Sequence, residues 1–387
     1  MNKFQEIISF IKSIYPEKDF IPLHEPKFLG NEKKYLCDAI DSTFVSSVGA
    51  YVNKFEEMIA EIAGTQYAVA TVNGTSALHM AMLVAGVKRD DLVITQSLTF
   101  IATCNAISYI GAEPVFLDVD RSSAGLSPES LEHWLKNNTY LKTDKDIGKL
   151  NCYHHLTNKR VAAVVPMHTF GHPVMIEEIV NICENYGIPV VEDAAESLGS
   201  SYRGRQTGGF GLLGTFSFNG NKTVTCGGGG AIVTNDGDMA KKAKHLTTQA
   251  KVPHQWEFIH DEIGYNYRMP NLNAALACAQ LEQLQKLITD KRAIAETYKA
   301  FFSDKAYHYF DEPPNSRSNF WLNAVLFSDK KERDEFLAIS NAAQVMTRPV
   351  WRPMHQLPMF KEFLKDGLEN TNYLADRLVN IPSSARF

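Results

Sequence analysis

From Tyr67 to Glu192 the chain alternates short β-branched runs with amphipathic stretches, and this alternation narrows the fold more than any other feature. The spacing predicts strands at Tyr67–Val72, Asp91–Thr95, Pro114–Val119, Val161–Met167 and Pro189–Glu192, with helices at Ser76–Ala85, Ala102–Ile110 and Glu177–Tyr186 between them. A helix between two strands carries the chain back to the starting edge, so the strands run parallel. The pattern therefore implies an α/β fold with a mostly parallel central sheet covered by helices on both faces. Sheets of this kind bind ligands outside the carboxyl ends of their strands, which makes the polar residues just after each strand the ones to inspect.

From about Asn271 the pattern changes. Asn271–Phe302 reads as a long helical stretch, Asp311–Ser318 as a turn-rich break, Phe320–Phe327 as a strand and Lys330–Ala343 as a helix. This divides the chain into a large α/β domain, residues 1–255, with an N-terminal helical segment, and a smaller C-terminal α+β domain, residues 256–387, that includes the long connecting helix. A length of 387 residues suits two domains, and 44% hydrophobic residues supply a core, which excludes disorder for most of the chain. The net charge of −5 argues against a nucleic-acid partner, which would need a basic face. Six cysteines without a CxxC pair point to a reducing compartment rather than a disulfide framework or a Cys-rich metal site. No signal-peptide core or run of ~20 apolar residues is present, so the expectation is a cytoplasmic protein with no membrane contact.

Four strand-end segments carry candidate chemistry. Val72-Asn-Gly-Thr-Ser-Ala77 is a strand running into a helix start, which suits a phosphate but taken alone is more often a plain helix cap. Thr99-Phe100-Ile-Ala-Thr103 places an aromatic at a strand–helix junction, either to stack on a planar ring or to fill the core. Val190-Val-Glu-Asp-Ala-Ala-Glu196 delivers carboxylates at a strand end, where they hold a cation, a ribose hydroxyl or a protonated ring nitrogen, or cap the next helix. In Gly214–Gly230 a short strand leads through a turn to Lys222 and four glycines. A lysine in such a setting can form a Schiff base, although a lone lysine is more often on the surface. As a set in one domain they match the needs of pyridoxal 5′-phosphate: a lysine for the aldehyde, an acid for the ring nitrogen and a helix N-terminus for the phosphate.

The chain also resembles the DegT/DnrJ/EryC1 family of sugar aminotransferases. The motifs that carry the resemblance are Asn73-Gly-Thr-Ser-Ala-Leu78, Thr99-Phe-Ile-Ala-Thr103, Pro114-Val-Phe-Leu-Asp-Val-Asp120, Glu192-Asp-Ala-Ala-Glu196, Ser217-Phe-Asn-Gly-Asn-Lys222 and Gly264-Tyr-Asn-Tyr-Arg-Met269. Thr43-Phe-Val-Ser-Ser-Val-Gly49, Thr347-Arg-Pro-Val-Trp351 and Ile381-Pro-Ser-Ser384 resemble the branch of bacillosamine and legionaminic acid synthesis. That branch acts on nucleotide-linked 4-keto-6-deoxy-N-acetylglucosamine.

The resemblance implies a fold type I, aspartate aminotransferase-like architecture, pyridoxal 5′-phosphate as cofactor, L-glutamate as amino donor and a nucleotide sugar as acceptor. It implies that Lys222 joins the cofactor and shuttles the proton, and that Asp193 keeps the ring nitrogen protonated. Gly74, Thr75 and Ser76 would cradle the phosphate with Ser217, Phe100 would stack on the ring, Glu196 would lie near its O3′ oxygen, and Asn219 would join the cofactor site. Asn266 would reach the phosphate of a neighbouring subunit, making the active sites a shared property of a homodimer. Glu196 stands where many relatives have glutamine, and Cys226 where many have glutamate.

Other readings fit less well. Gly209-Phe-Gly-Leu-Leu-Gly214 spells a nicotinamide fingerprint, but no strand precedes it and no helix follows. Gly220-Asn-Lys-Thr223 fails as a P-loop because Asn221 intervenes. His168 and His172 flank Gly171 and precede Pro173, so they make a poor metal pair, and no metal is expected. Asn73, Asn137 and Asn221 begin glycosylation sequons by spelling alone. Arg348 is a candidate carboxylate partner, and Arg352 and His355 either touch substrate or cap the fold. A sugar 3-dehydratase of the same family would carry histidine in place of Lys222, and a regulatory protein would leave the Lys222–Asp193 pair without a purpose.

Overall fold

The computed structural model describes residues 3–144, 148 and 150–387. Its centre is a sheet of seven strands: β1 (Tyr67–Thr71), β2 (Leu92–Gln96), β3 (Glu113–Leu117), β4 (Arg160–Val165), β5 (Val191–Asp193), β6 (Leu213–Ser217) and β7 (Gly230–Thr234). Their spatial order is β3-β2-β4-β5-β6-β7-β1. β2 pairs parallel with β3 and β4, and β5 with β6. Parallel bridges Val164↔Val190 and Met167↔Asp193 join β4 to β5. Among these seven strands only β7 opposes its neighbours, β1 and β6. It follows β6 through a turn rather than a helix, and a turn reverses the chain direction.

Helices cover both faces, as the sequence predicts. All five residues of β2 are buried, the signature of a strand with no solvent side. Along β7, Ile232 joins the cluster holding Met80, Ile107 and Val165, while Ala231 and Val233 join the cluster holding Phe55, Ile59 and Phe216 on the other face. That is the two-residue alternation of a strand between two cores.

The C-terminal half carries a second, antiparallel sheet, His308–Phe310, Asn323–Leu326, Leu378–Ile381 and Arg348–Pro349 in that spatial order. The N-terminal helix Gln5–Ile14, which the sequence groups with the large domain, packs here instead. Phe4, Ile7, Ile8 and Ile11 share a core with Tyr298, Phe327, Phe336 and Val379. Helical spacing reveals which face of a segment is apolar but not which distant surface receives it.

Two elements differ from expectation. The single helix over 271–302 is two helices, Asn271–Leu281 and Leu284–Phe302, broken at Glu282-Gln283. At the break the Glu282 carboxylate accepts Tyr35 Oη at 2.6 Å, Asn31 Nδ2 at 2.9 Å and Lys54 Nζ at 3.1 Å. The strand expected over 320–327 shrinks to Asn323–Leu326 because Phe320 has a φ of 47°, outside the extended region.

Candidate functional site

Where β1 ends, Asn73 Oδ1 accepts the Ser76 amide at 2.8 Å and caps the helix Gly74–Val84. Its carbonyl accepts the Ala77 amide at 3.1 Å. The first amides of a helix have no partner one turn back, and Gly74 and Thr75 present theirs at the wall of a cavity of about 320 Å³. Gly74 is required there. A Cβ on it would lie 2.7 Å from Ser217 Cβ, so any larger residue closes the gap between the helix start and the end of β6.

Strand alternation separates two adjacent carboxylates at the end of β5. Glu192 is fully buried and accepts the amides of Gly208, Phe210 and Gly211 at 2.8, 2.6 and 2.7 Å. His168 Nε2 also donates to it at 3.0 Å, because Nδ1 of that ring accepts the Val174 amide at 3.2 Å. The glycine-rich segment that spells a nicotinamide fingerprint thus grips a protein carboxylate. Asp193 turns the other way, into the cavity. Its Oδ2 accepts Thr103 Oγ1 at 2.7 Å and its Oδ1 accepts the Ala195 amide at 3.2 Å. Burial pushes its pKa up, against the pull of those two donors and the positive charge of Lys222. A buried acid of this kind ionises most readily opposite a cation.

Lys222 follows β6 through a turn in which its amide donates to the Asn219 carbonyl at 3.0 Å. Its Nζ lies 3.2 Å from Glu196 Oε1 and 3.9 Å from the centroid of the Trp321 ring. Glu196 Oε2 accepts the Phe170 amide at 2.9 Å. Burial raises the Glu196 pKa to about 7, partly offset by Lys222 and the Phe170 amide. The folded protein therefore holds a proton on Glu196 that the unfolded chain releases near pH 4.5. Stability from this group is present below that pH and lost as the pH rises through about 7, an effect of roughly 3 kcal/mol. Glu196→Gln is expected to flatten the fall in melting temperature of the cofactor-free protein between about pH 5 and 7. An unaltered slope assigns the titration to another group.

One cavity brings together Gly74, Thr75, Phe100 and Asp193 with Glu196, Ser217, Asn219 and Lys222. Ser76 is buried beside it through its bond to the cap. Phe100 remains 48% exposed within one chain, its ring 6.1 Å from that of Trp351. Asn266 lies outside the cavity, exposed, in an isolated bridge with Thr248. Arg348 is exposed in its two-residue strand and does not line the cavity. Sequence reasoning missed Trp321, Met167 and Leu78, which complete the walls. Their only signal is apolar character, which core residues share.

The group named by the sequence fits these residues. A helix start cleared by Gly74 can take a phosphate, Asp193 can take a protonated ring nitrogen, Lys222 can take an aldehyde, and the volume suits a small molecule. A mostly parallel α/β sheet bearing such a site defines a pyridoxal 5′-phosphate-dependent aminotransferase of fold type I. The chain belongs to the DegT/DnrJ/EryC1/StrS aminotransferase family, which it matches over residues 28–387. It is 37% identical over 365 residues to the GDP-perosamine synthase of Escherichia coli O157:H7, covering 94% of this chain and 93% of that one. It is 36% identical over 359 residues to EpsN of Bacillus subtilis (strain 168), described as a candidate pyridoxal phosphate-dependent aminotransferase, covering 92% and 88%. Among solved structures, a DegT DnrJ EryC1 StrS aminotransferase from Brucella abortus superposes with a TM-score of 0.81 at 26% identity, covering 91% and 90%. Among the described residues, no helix is long and apolar enough to cross a membrane.

Proposed function

We propose that this aminotransferase moves the amino group of L-glutamate to the C4 ketone of a UDP-linked 2-acetamido-4-keto-2,6-dideoxyhexose, giving the 4-amino sugar. The observation that carries the reading is Lys222, its amine held in the same cavity that Asp193 and the Gly74 helix start line. Bound pyridoxal 5′-phosphate supplies an aldehyde that takes up amines and a ring that accepts electrons. Gly74, Thr75, Ser76 and Ser217 would hold its phosphate, Phe100 would pack against its ring, Asn219 would border it and Glu196 would face its O3′ oxygen. Asp193 would hold the proton on the ring nitrogen.

Lys222 Nζ accepts the α-proton of glutamate in the first half-reaction and delivers a proton to C4 of the sugar in the second. Glutamate leaves as 2-oxoglutarate before the sugar reacts, which is ping-pong order. Asn266, exposed on the single chain, completes the site of a neighbouring subunit in a homodimer. Phe44–Tyr51, Gln249–Gln255 and Trp351–Met359 shape the sugar subsite, and Trp351 already lines the cavity.

A second reading, a GDP-linked sugar acceptor, is favoured by the names of the GDP-perosamine synthases at 37% and 34% identity. Incubation with glutamate and a panel of UDP- and GDP-4-keto sugars separates the two. The UDP-acetamido sugar is expected to give the largest kcat/KM and a 4-amino product. Preference for a GDP sugar replaces the first reading with the second, and a product aminated elsewhere than C4 sinks both.

A further inference from the structure

Trp321 is not part of any motif, yet its indole face meets the Lys222 amine 3.9 Å from the ring centroid. Three hydrogen bonds fix it. The indole Nε1–H donates at 2.7 Å to the carbonyl of Asn221, the residue before Lys222. Its backbone N–H donates to Asn319 Oδ1 at 2.8 Å, and its carbonyl accepts Lys291 Nζ at 3.1 Å. Asn319 Nδ2 in turn donates to the Glu196 and Leu198 carbonyls at 2.9 and 3.0 Å. One amide side chain therefore ties the backbone of Trp321 to the backbone of Glu196, the other residue touching the amine. The intervening Phe320 holds a positive φ that residues other than glycine rarely adopt.

The face of an indole attracts an ammonium through its quadrupole, more strongly when water is excluded, and Trp321 is 5% exposed. Glu196 alone makes an inconstant partner, since a carboxyl with a pKa near 7 changes charge around neutral pH. The indole does not change charge in that range. The other titratable groups around the amine are Asp193 in the cavity, His24 from the N-terminal segment and Lys291 behind the Trp321 carbonyl. Burial, then the charges of Lys291 and Lys222, hold His24 well below the usual imidazole value. Burial also pulls Lys291 down to about 7.

We propose that Trp321 is a positioning residue for Lys222: its indole face and the Glu196 carboxyl form a resting place that holds the ε-amine inside the cavity while it is not joined to the cofactor, most firmly when it carries the proton it has taken. The inference rests on Lys222 being the lysine of the reaction. During each half-reaction that amine must come free and act again. A lysine side chain with four rotatable bonds needs a reason to stay close, and two contacts on opposite kinds of group supply it.

The test uses the enzyme loaded with pyridoxamine 5′-phosphate, which leaves Lys222 free. Acetylation of Lys222 by acetic anhydride, read by peptide mass spectrometry against pH, is compared for wild type, Trp321→Phe and Trp321→Met. Methionine fills much of the space without a π face, whereas phenylalanine keeps one. The Met variant is expected to acetylate at Lys222 several-fold to about tenfold faster near neutral pH, with its pH profile displaced downward, while the Phe variant stays near wild type. Equal acceleration in both variants assigns Trp321 a packing role and overturns the proposal, as does no change in either. Borohydride reduction of the wild-type pyridoxal form checks the underlying reading separately. A pyridoxyl group on any lysine other than Lys222 overturns that reading whatever the acetylation shows.

Discussion

Lys222→Ala is expected to lose turnover by about four orders of magnitude or more, because the substitution removes both the covalent attachment point and the group that moves the proton. The fold is expected to survive. Lys222 is 12% exposed, and the contacts that fail are one carboxyl and one ring face. Stranding a buried carboxylate is ordinarily costly, but Glu196 has a pKa near 7 and takes up a proton instead. The variant is therefore expected to melt within a few degrees of wild type and to retain non-covalent affinity for pyridoxal 5′-phosphate through the Gly74 helix start. Release of 2-oxoglutarate from glutamate, followed with a coupled dehydrogenase, reads the loss. Activity above about a hundredth of wild type would place the proton transfer on another group, and the assignment of Lys222 would fall with it.

The grouping of the strand-end candidates in one cavity was legible because it is local. Asn73 through Ser76, Asp193 and Lys222 each sit within a few residues of a strand end, and a parallel sheet gathers strand ends at one edge. Glu192 and Asp193 were legible as a pair but not as opposites. Only the pleat sends one to the Gly208–Gly211 amides and the other to the cavity. The walls were not legible. Trp321 arrives from the C-terminal half, and its place depends on a positive φ at Phe320 and on an Asn319 side chain that spans two segments of chain. No periodicity records such contacts. The same limit covers the contacts at the helix break, where Glu282 is held by Asn31, Tyr35 and Lys54, more than two hundred residues earlier. His172 remains without a physical account. It is fully buried, neither ring nitrogen has a hydrogen-bond partner among the described residues, and burial lowers its pKa to about 4.

Asp193→Asn separates electrostatics from shape in the same cavity. Asparagine is nearly the same size, and a rotated Thr103 hydroxyl can donate to its oxygen or accept from its amide, so packing is preserved. What disappears is the negative charge that, on the proposed mechanism, holds a proton on the ring nitrogen. Without that proton the ring accepts electrons poorly, and kcat is expected to fall by about 10³-fold, which corresponds to roughly 4 kcal/mol in the barrier. Stability of the cofactor-free protein is expected to move the other way. Burial raises the Asp193 pKa, so this group's contribution to stability is present below the unfolded value of 3.8 and lost as the pH climbs through the folded one. Above that window the aspartate is a burden that asparagine does not carry, and the variant should melt at or above the wild-type temperature at pH 8. A fall in rate with an equal or higher melting point is the signature of a charge kept for function at a cost in stability. An unchanged kcat would make Asp193 a structural acid and leave the ring nitrogen without its partner.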